Sequence, residues 1–534
     1  MVIGFIGLCG VANAAPYGRP LYGPLDWSIL YCRFTDSPTP ARSITDFNAM
    51  LMSNPAIASA DGYASFYLEA SSSMITPNFH SASAWVTIPH DLAWANARAN
   101  PARRMEIFDA CVAAAQASGT TIPPTNFLGV VTTPGIQTTG IWGRALLGIE
   151  MQVSGVLHEM GHGMGFGHSY SERPDHTPAM GDTHVEYGDP FDIMSVNLVF
   201  WTMGSWGVTG PRMNSFNLDR MGWLARDETV NFGADGRTQA TYTLTPLYRA
   251  SPGGVRVVRI PFDENDPFHY YAVEMRKMEG LDAAFATHRV LIYEVKRLPA
   301  AGYLQGFLLR NGSLGDAIQS LNANGVTIAI NAIAQNGESA SVTITGDIAT
   351  KCVPGFVHRA AGPNDPVCVL PSSRDLAQEE NLNAPRAAVG GWLWWRFRFC
   401  PSPRVLRRAF AGDDVCVDPP RASEVLIENR TAGEHNAARA FRGLNACAPA
   451  YVWREATQRD YVCVTQQTHD ESQEENDLAA TRRDMLPFTH GHYLCKAGFV
   501  IRNAVPGDAV CAPPTSRARA IQDNAASASR FAVP

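Results

Sequence analysis

Three histidines and a glutamate at fixed spacing carry the chemistry of this chain. Residues 158–168 read His158-Glu159-Met160-Gly161-His162-Gly163-Met164-Gly165-Phe166-Gly167-His168, the pattern H-E-x-x-H-x-x-G-x-x-H. On a helix, positions i and i+4 share one face. His158 and His162 can therefore present two imidazoles to one metal ion. Glu159 stands beside them, placed to act on a metal-bound water. Gly165 can adopt positive φ, end the helix and turn the chain. That turn would return His168 as third ligand. Three protein ligands with a fourth position open are the mark of a catalytic zinc. A bare H-E-x-x-H arises by chance on many helices, but the added glycine and third histidine make chance a poor explanation.

The phrase Glu186-Tyr187-Gly188-Asp189-Pro190-Phe191-Asp192-Ile193-Met194 follows, with Met194 twenty-six residues past His168. A zinc motif followed by such a methionine turn resembles the metzincin zinc peptidases. The phrase itself, with Met221-Gly222-Trp223-Leu224 beyond it, is most similar to the gametolysin family, peptidase M11. The resemblance spans roughly residues 27–300 and is specific at the zinc motif and methionine turn. It implies His158, His162 and His168 as ligands of one Zn2+. It implies Glu159 as general base and then general acid, and Met194 as an apolar floor beneath the ligands. Some metzincins carry a tyrosine two residues past the methionine, close to the metal. Here that position is Val196, so no such tyrosine is expected.

Other residues near the motif read as less specific. His176 and His184 have loop spacing and are expected at the surface. Asp182, Asp189 and Asp192 could offer oxygens to Ca2+, but no calcium-loop spacing accompanies them. Cys32 could block zinc as a free thiol; a disulfide with Cys111 is the preferred reading.

The chain must supply elements to position these groups. Its 534 residues exceed one core, and 46% apolar content suits globular folding. A net charge of −7 offers nothing to nucleic acid or anionic membranes. No apolar stretch is long enough to span a bilayer. Residues 1–14 read as a signal peptide, an apolar run ending in Ala12-Asn13-Ala14, although the basic n-region is missing. Setting Cys9 aside leaves ten cysteines of the eleven, an even number suited to an oxidising, extracellular setting.

Residues 15–228 alternate strand-like and helical patterns, including strands near 27–34 and 127–132 and helices near 45–51, 99–117 and 150–164. They predict an α/β or α+β catalytic domain of metzincin type. Residues 229–348 turn to short alternating runs, at 240–245, 255–260, 270–274, 289–295 and 341–345, which predict a β-sandwich.

Residues 349–534 hold four repeats with a period of 47 or 48. Cysteines pair as Cys352/Cys368, Cys400/Cys416, Cys447/Cys463 and Cys495/Cys511. Within each pair an Arg, an Asp and two Val recur, and thirteen residues past it an Asn: Asn381, Asn429, Asn476 or Asn524. Each pair is expected to staple its own hairpin, followed by a short helix, because so small a unit buries little core. The recurring Arg and Asp are expected to form an ion pair inside each repeat. Asn311 and Asn429 also begin glycosylation triplets, which are common and carry little weight.

The combined expectation is a secreted zinc endopeptidase acting on protein substrates, with repeats that attach it to a cell wall, matrix or glycan. A non-catalytic extracellular adhesin with a protease-like domain is the alternative. It has no use for the carboxylate of Glu159.

Overall fold

The computed structural model describes residues 20–52, 61–125, 127–172, 185–195, 199–249, 254–298, 304–313, 320–363, 365–390, 397–485 and 493–532. The expected signal 1–14, with His176, Asp182, His184 and Val196, lies outside these residues.

The first region is built on β1 (Gly23–Arg33), whose residues are buried on both faces. Trp27, Ile29 and Tyr31 point into one core, while Leu30 and Cys32 point into another. A strand covered on both sides reads as a near-continuous apolar run, which is how the segment reads in the sequence. Next come α1 (Ile44–Met52), α2 (Tyr63–Ala70), β2 (Ile75–Thr87), α3 (Leu92–Asn96) and α4 (Pro101–Ala117). β3 (Phe127–Thr132), β4 (Thr139–Ile141) and β5 (Arg144–Gly148) complete a sheet of order β2-β1-β3-β5-β4. The sheet is parallel except for β4, which runs antiparallel at the edge. The thirteen-residue β2 was not anticipated; its alternation is diluted by Ser, Asn and His along an edge.

The helix bearing the zinc motif, α5 (Val153–Met164), packs on the first face with Val153, Val156, Leu157, Met160 and Met164 in the core. α4 packs on the opposite face, where Cys32 and Cys111 form a disulfide. Cys32 is therefore bonded and on the far side of the sheet, which removes it as a blocking thiol.

Two short strands follow α5: β6 (Tyr170–Ser171) and β7 (Val185–Glu186). A 3-10 turn at Ile193–Ser195, β8 (Thr202–Gly204), β9 (Gly207–Thr209) and α6 (Ser215–Arg220) lead out of the first region. The all-β part comprises β10 (Thr229–Asn231), β11 (Gln239–Leu244), β12 (Val257–Ile260), β13 (Tyr270–Arg276), β14 (Arg289–Arg297), β15 (Leu304–Ser313), β16 (Leu321–Ala323), β17 (Val326–Ile333) and β18 (Ala340–Gly346). A four-stranded sheet, β11-β18-β17-β16, and a seven-stranded sheet enclose one core, with Ile292 and Val273 facing Ile328 and Val342. The larger sheet runs β10-β12-β13-β14-β15-β6-β7. It therefore crosses residue 228, the expected boundary, and recruits β6 and β7 from beside the zinc motif. β15 pairs with β6 in parallel, Phe307 opposite Tyr170.

The four repeats follow one plan. A disulfide sixteen residues apart closes each hairpin. A thirteen-residue helix follows each: α7 (Pro371–Asn383), α8 (Pro419–Thr431), α10 (Gln466–Leu478) and α11 (Pro514–Ala526). The expected ion pairs are present and buried: Arg359–Asp365 and Arg407–Asp413 at 2.9 Å, Arg454–Asp460 at 2.7 Å and Arg502–Asp508 at 2.8 Å.

The arginines do more than the expectation held. Arg359 also donates to Asn429 Oδ1 of the second repeat, and Arg407 to Asn381 Oδ1 of the first, both at 2.9 Å. Arg454 and Asn524, and Arg502 and Asn476, repeat that exchange at 2.9 and 2.8 Å. The repeats thus pair reciprocally, first with second and third with fourth. Asn429 is spent on this pairing, which accounts for the residue without glycosylation. The short α9 (Ala437–Ala440) places Ala437 and Ala438 in the β-sandwich core. The third repeat is bolted to the first region. Tyr22 donates to Arg459 O at 2.8 Å, Tyr461 to Leu224 O at 3.0 Å, and Arg226 to Asp460 O at 2.9 Å.

Candidate metal centre

α5 ends as the sequence predicts. Gly165 caps it with φ 100°, in the left-handed region open to glycine. Gly165 N–H donates to His162 O at 2.9 Å and Phe166 N–H to Gly161 O at 3.1 Å, satisfying the last carbonyls of the helix. The chain then reverses and delivers His168. The ligand nitrogens of His158, His162 and His168 gather within 4.8 Å of one another.

Each imidazole is held from behind. His158 Nδ1 lies 3.2 Å from Ile193 O, and His162 Nδ1 2.7 Å from Phe166 O. A carbonyl only accepts, so both Nδ1 atoms carry the proton and donate. His168 Nδ1 lies 2.5 Å from Glu186 Oε1. Such partners fix tautomer and ring orientation in metal sites. They leave the Nε2 lone pairs facing inward. His158 Nε2 and His162 Nε2 then oppose each other at 3.0 Å. Burial holds the His158 imidazole well below its usual pKa and His162 at about 3, so both are neutral near pH 7. Two bare acceptors at this distance repel unless a cation lies between them. The donor set therefore fits a metal ion, and three imidazoles suit zinc among others.

Glu159 is held by a residue ahead of β4, and its carboxyl lies close enough to His168 to interact with its charge. Its Oε1 accepts from Thr138 Oγ1 at 2.8 Å, and burial raises its pKa. The edge strand β4 lies hard against this turn: a Cβ on Gly140 would sit 1.9 Å from Glu159 O. Only glycine allows that approach.

Met194 lies buried beneath α5. A Cβ on Gly161 would come within 3.0 Å of Met194 Sδ, so the glycine inside the motif makes room for this floor. The turn is fixed by Asp192, which accepts from Met194 N–H at 2.7 Å and Asn214 N–H at 2.6 Å. Asp189 accepts from Phe191 N–H at 3.0 Å and from the Tyr293 hydroxyl at 3.1 Å. Both aspartates are wholly buried in these bonds, which accounts for them without calcium. Arg276, equally buried, donates to Phe191 O at 3.1 Å and pairs with Asp282 at 2.6 Å. β13 and β14 of the larger sheet thus hold the methionine turn.

Three residues at the site escape sequence reasoning: Thr138, Glu186 and Tyr187. Val196 offers no tyrosine, yet Tyr187 brings its hydroxyl to 2.9 Å from His168 Nε2. Glu186 and Tyr187 stand in the phrase that revealed Met194, but no spacing rule marks them. Their role depends on β6 pairing with β7, Tyr170 opposite Glu186.

No protein-family model matches this chain, and no curated protein matches it.

Proposed function

We propose that this chain is a secreted zinc endopeptidase of metzincin type, most like the gametolysin family, with His158, His162 and His168 as ligands. The observation carrying this reading is the opposed pair of Nε2 atoms at 3.0 Å, each with its proton committed behind it. When bound, zinc supplies Lewis acidity toward a peptide carbonyl and acidifies a water. The protein's own part centres on Glu159. It is next in sequence to His158, half-buried, and oriented by Thr138. A carboxylate whose pKa is raised toward the working pH takes a proton from water more readily than an ordinary one, and its acid form can then pass that proton to the leaving amine.

The disulfide-stapled repeats support an oxidising compartment outside the cell. Among the described residues, no helix is long and apolar enough to cross a membrane. We assign the repeats to attachment at a cell wall, matrix or glycan.

Glu159→Ala decides between peptidase and adhesin. It should keep one zinc per chain while cleavage of denatured casein and gelatin disappears. Wild-type protein that carries zinc and cleaves neither substrate would point to the adhesin.

A further inference from the structure

The third repeat carries a cleft built from residues that its sister repeats lack. Arg442, Tyr451, Trp453, Glu455, Gln466 and His469 line a cavity of about 230 Å3. That is below the ~300–1,000 Å3 usual for drug-sized ligands and suits a single ring. Trp453 and His469 each stand six residues past a cysteine. The same positions hold His358 and Arg374, Leu406 and Ala422, or Ile501 and Arg517 in the other repeats. Those repeats fold on the same plan, so the fold does not require a tryptophan and a histidine there.

The lining is held in place. Trp453 Nε1 donates to Asn445 O at 2.6 Å, and its ring meets Tyr461 edge-on with centroids 5.2 Å apart. The Arg530 guanidinium stands 5.3 Å from the Tyr451 ring centroid. Both lining aromatics are half-buried, and fixed rings give apolar contact at little entropic cost. His469 Nδ1 lies 2.8 Å from Trp453 O, so it carries the proton and donates. The other nitrogen, Nε2, and the Tyr451 hydroxyl have no hydrogen-bond partner among the described residues.

The polar rim is mixed. Arg442 and the Gln466 amide donate, Glu455 and His469 Nε2 accept, and the Tyr451 hydroxyl does either. An anion here would meet Glu455, and a cation would meet Arg442. A sugar hydroxyl both donates and accepts, and a sugar ring turns an apolar C–H face to an aromatic one. We infer that this cleft binds a neutral hexose unit of a polysaccharide, its C–H face on the aromatic rings and its hydroxyls on the rim. The inference rests on the attachment reading of the repeats above and places that attachment in the third. Arg226 of the first region pairs with Glu455 at 3.4 Å, so a bound polymer is held at a set position beside that region.

The probes are four soluble neutral polysaccharides, hydroxyethylcellulose, laminarin, galactomannan and pullulan, each cast into a native gel. Full-length wild type should be retarded in at least one of them relative to a plain gel. Tyr451→Phe keeps the ring and loses one hydroxyl, so its Kd for that polymer should rise about 3–10-fold. Trp453→Ala should run as in the plain gel. Tyr451→Phe retarded as strongly as wild type overturns the cleft and leaves attachment elsewhere on the repeats standing. A fully retarded Trp453→Ala does the same. Wild type retarded in none of the gels also overturns the cleft. Retention of that protein on insoluble collagen would then keep the attachment reading, and failure there would remove both. Tyr451→Phe decides even if Trp453→Ala fails to fold.

Discussion

Glu186 Oε1 sits 2.5 Å from His168 Nδ1, on the side of the ring away from the other two histidines. The pair joins the third candidate ligand to β7, and through β7 to the seven-stranded sheet. The hydrogen bond to His168 is the largest influence lowering the carboxyl's pKa, so Glu186 stays ionised opposite the imidazole. Carboxylate partners of this kind fix the ligand and raise its basicity. Glu186→Gln should weaken zinc binding by roughly 10–100-fold while leaving one zinc at saturation. Competition against a chromophoric chelator measures it. Equal affinity in variant and wild type would remove Glu186 from the site.

Metal removal should be felt as lost stability at the C-terminal end of α5. A ligand that binds only the folded state stabilises by ~4 kcal/mol at a thousandfold excess over Kd. Chelation should therefore lower the calorimetric midpoint, and zinc should restore it. Amide exchange should rise around Gly161–His168 and Ile193–Ser195, whose backbone atoms buttress the imidazoles. A midpoint indifferent to chelator would mean that no ion stabilises this cluster.

Much of this centre was legible from spacing. The i, i+4 histidines and the left-handed Gly165 follow from local rules, because helix period and glycine conformation act over a few residues. The strand at 127–132 and the stapled hairpins were readable for the same reason. Met194 was legible only through the resemblance its phrase carries. Glu186, Tyr187 and Thr138 were not. Their roles come from pairings of β4 with β5 and β7 with β6, which no local pattern encodes. The reciprocal Arg–Asn exchange was half visible. The recurrence of Asn381 and its equivalents was plain, but its partner stands in the neighbouring repeat.

Asp189 sets a pH dependence. Burial first, and then the charge of Asp192, push its pKa from 3.8 up to about 7. The folded state therefore binds this proton more tightly than the unfolded chain. Its stabilising contribution is full below 3.8 and is lost as pH climbs toward 7. Asp192, Asp219 and Glu274 are raised as well, again chiefly by burial. Asp189→Asn should thus flatten, without abolishing, the fall in urea-unfolding free energy between pH 5 and 8. A slope equal to that of wild type would show that Asp189 keeps no proton in the fold.

The pairing of repeats makes a sharper claim about cooperativity. Asn381 belongs to the first repeat by sequence and donates to Ala360 O within it at 3.2 Å. Its Oδ1 accepts from Arg407 of the second repeat, whose guanidinium is fully buried. Removing a hydrogen bond to a charged group costs ~1.5–3 kcal/mol. Asn381→Ala should therefore raise amide exchange about 10–100-fold in both the first and second repeats. The third and fourth repeats, which exchange their own Arg–Asn bonds, should keep their protection. Asn429→Ala should give the same result from the opposite side, since its Oδ1 accepts from Arg359. Hydrogen-exchange mass spectrometry resolves the four units. Loss confined to the mutated repeat would show that each folds alone and that the crossed hydrogen bonds add nothing to stability.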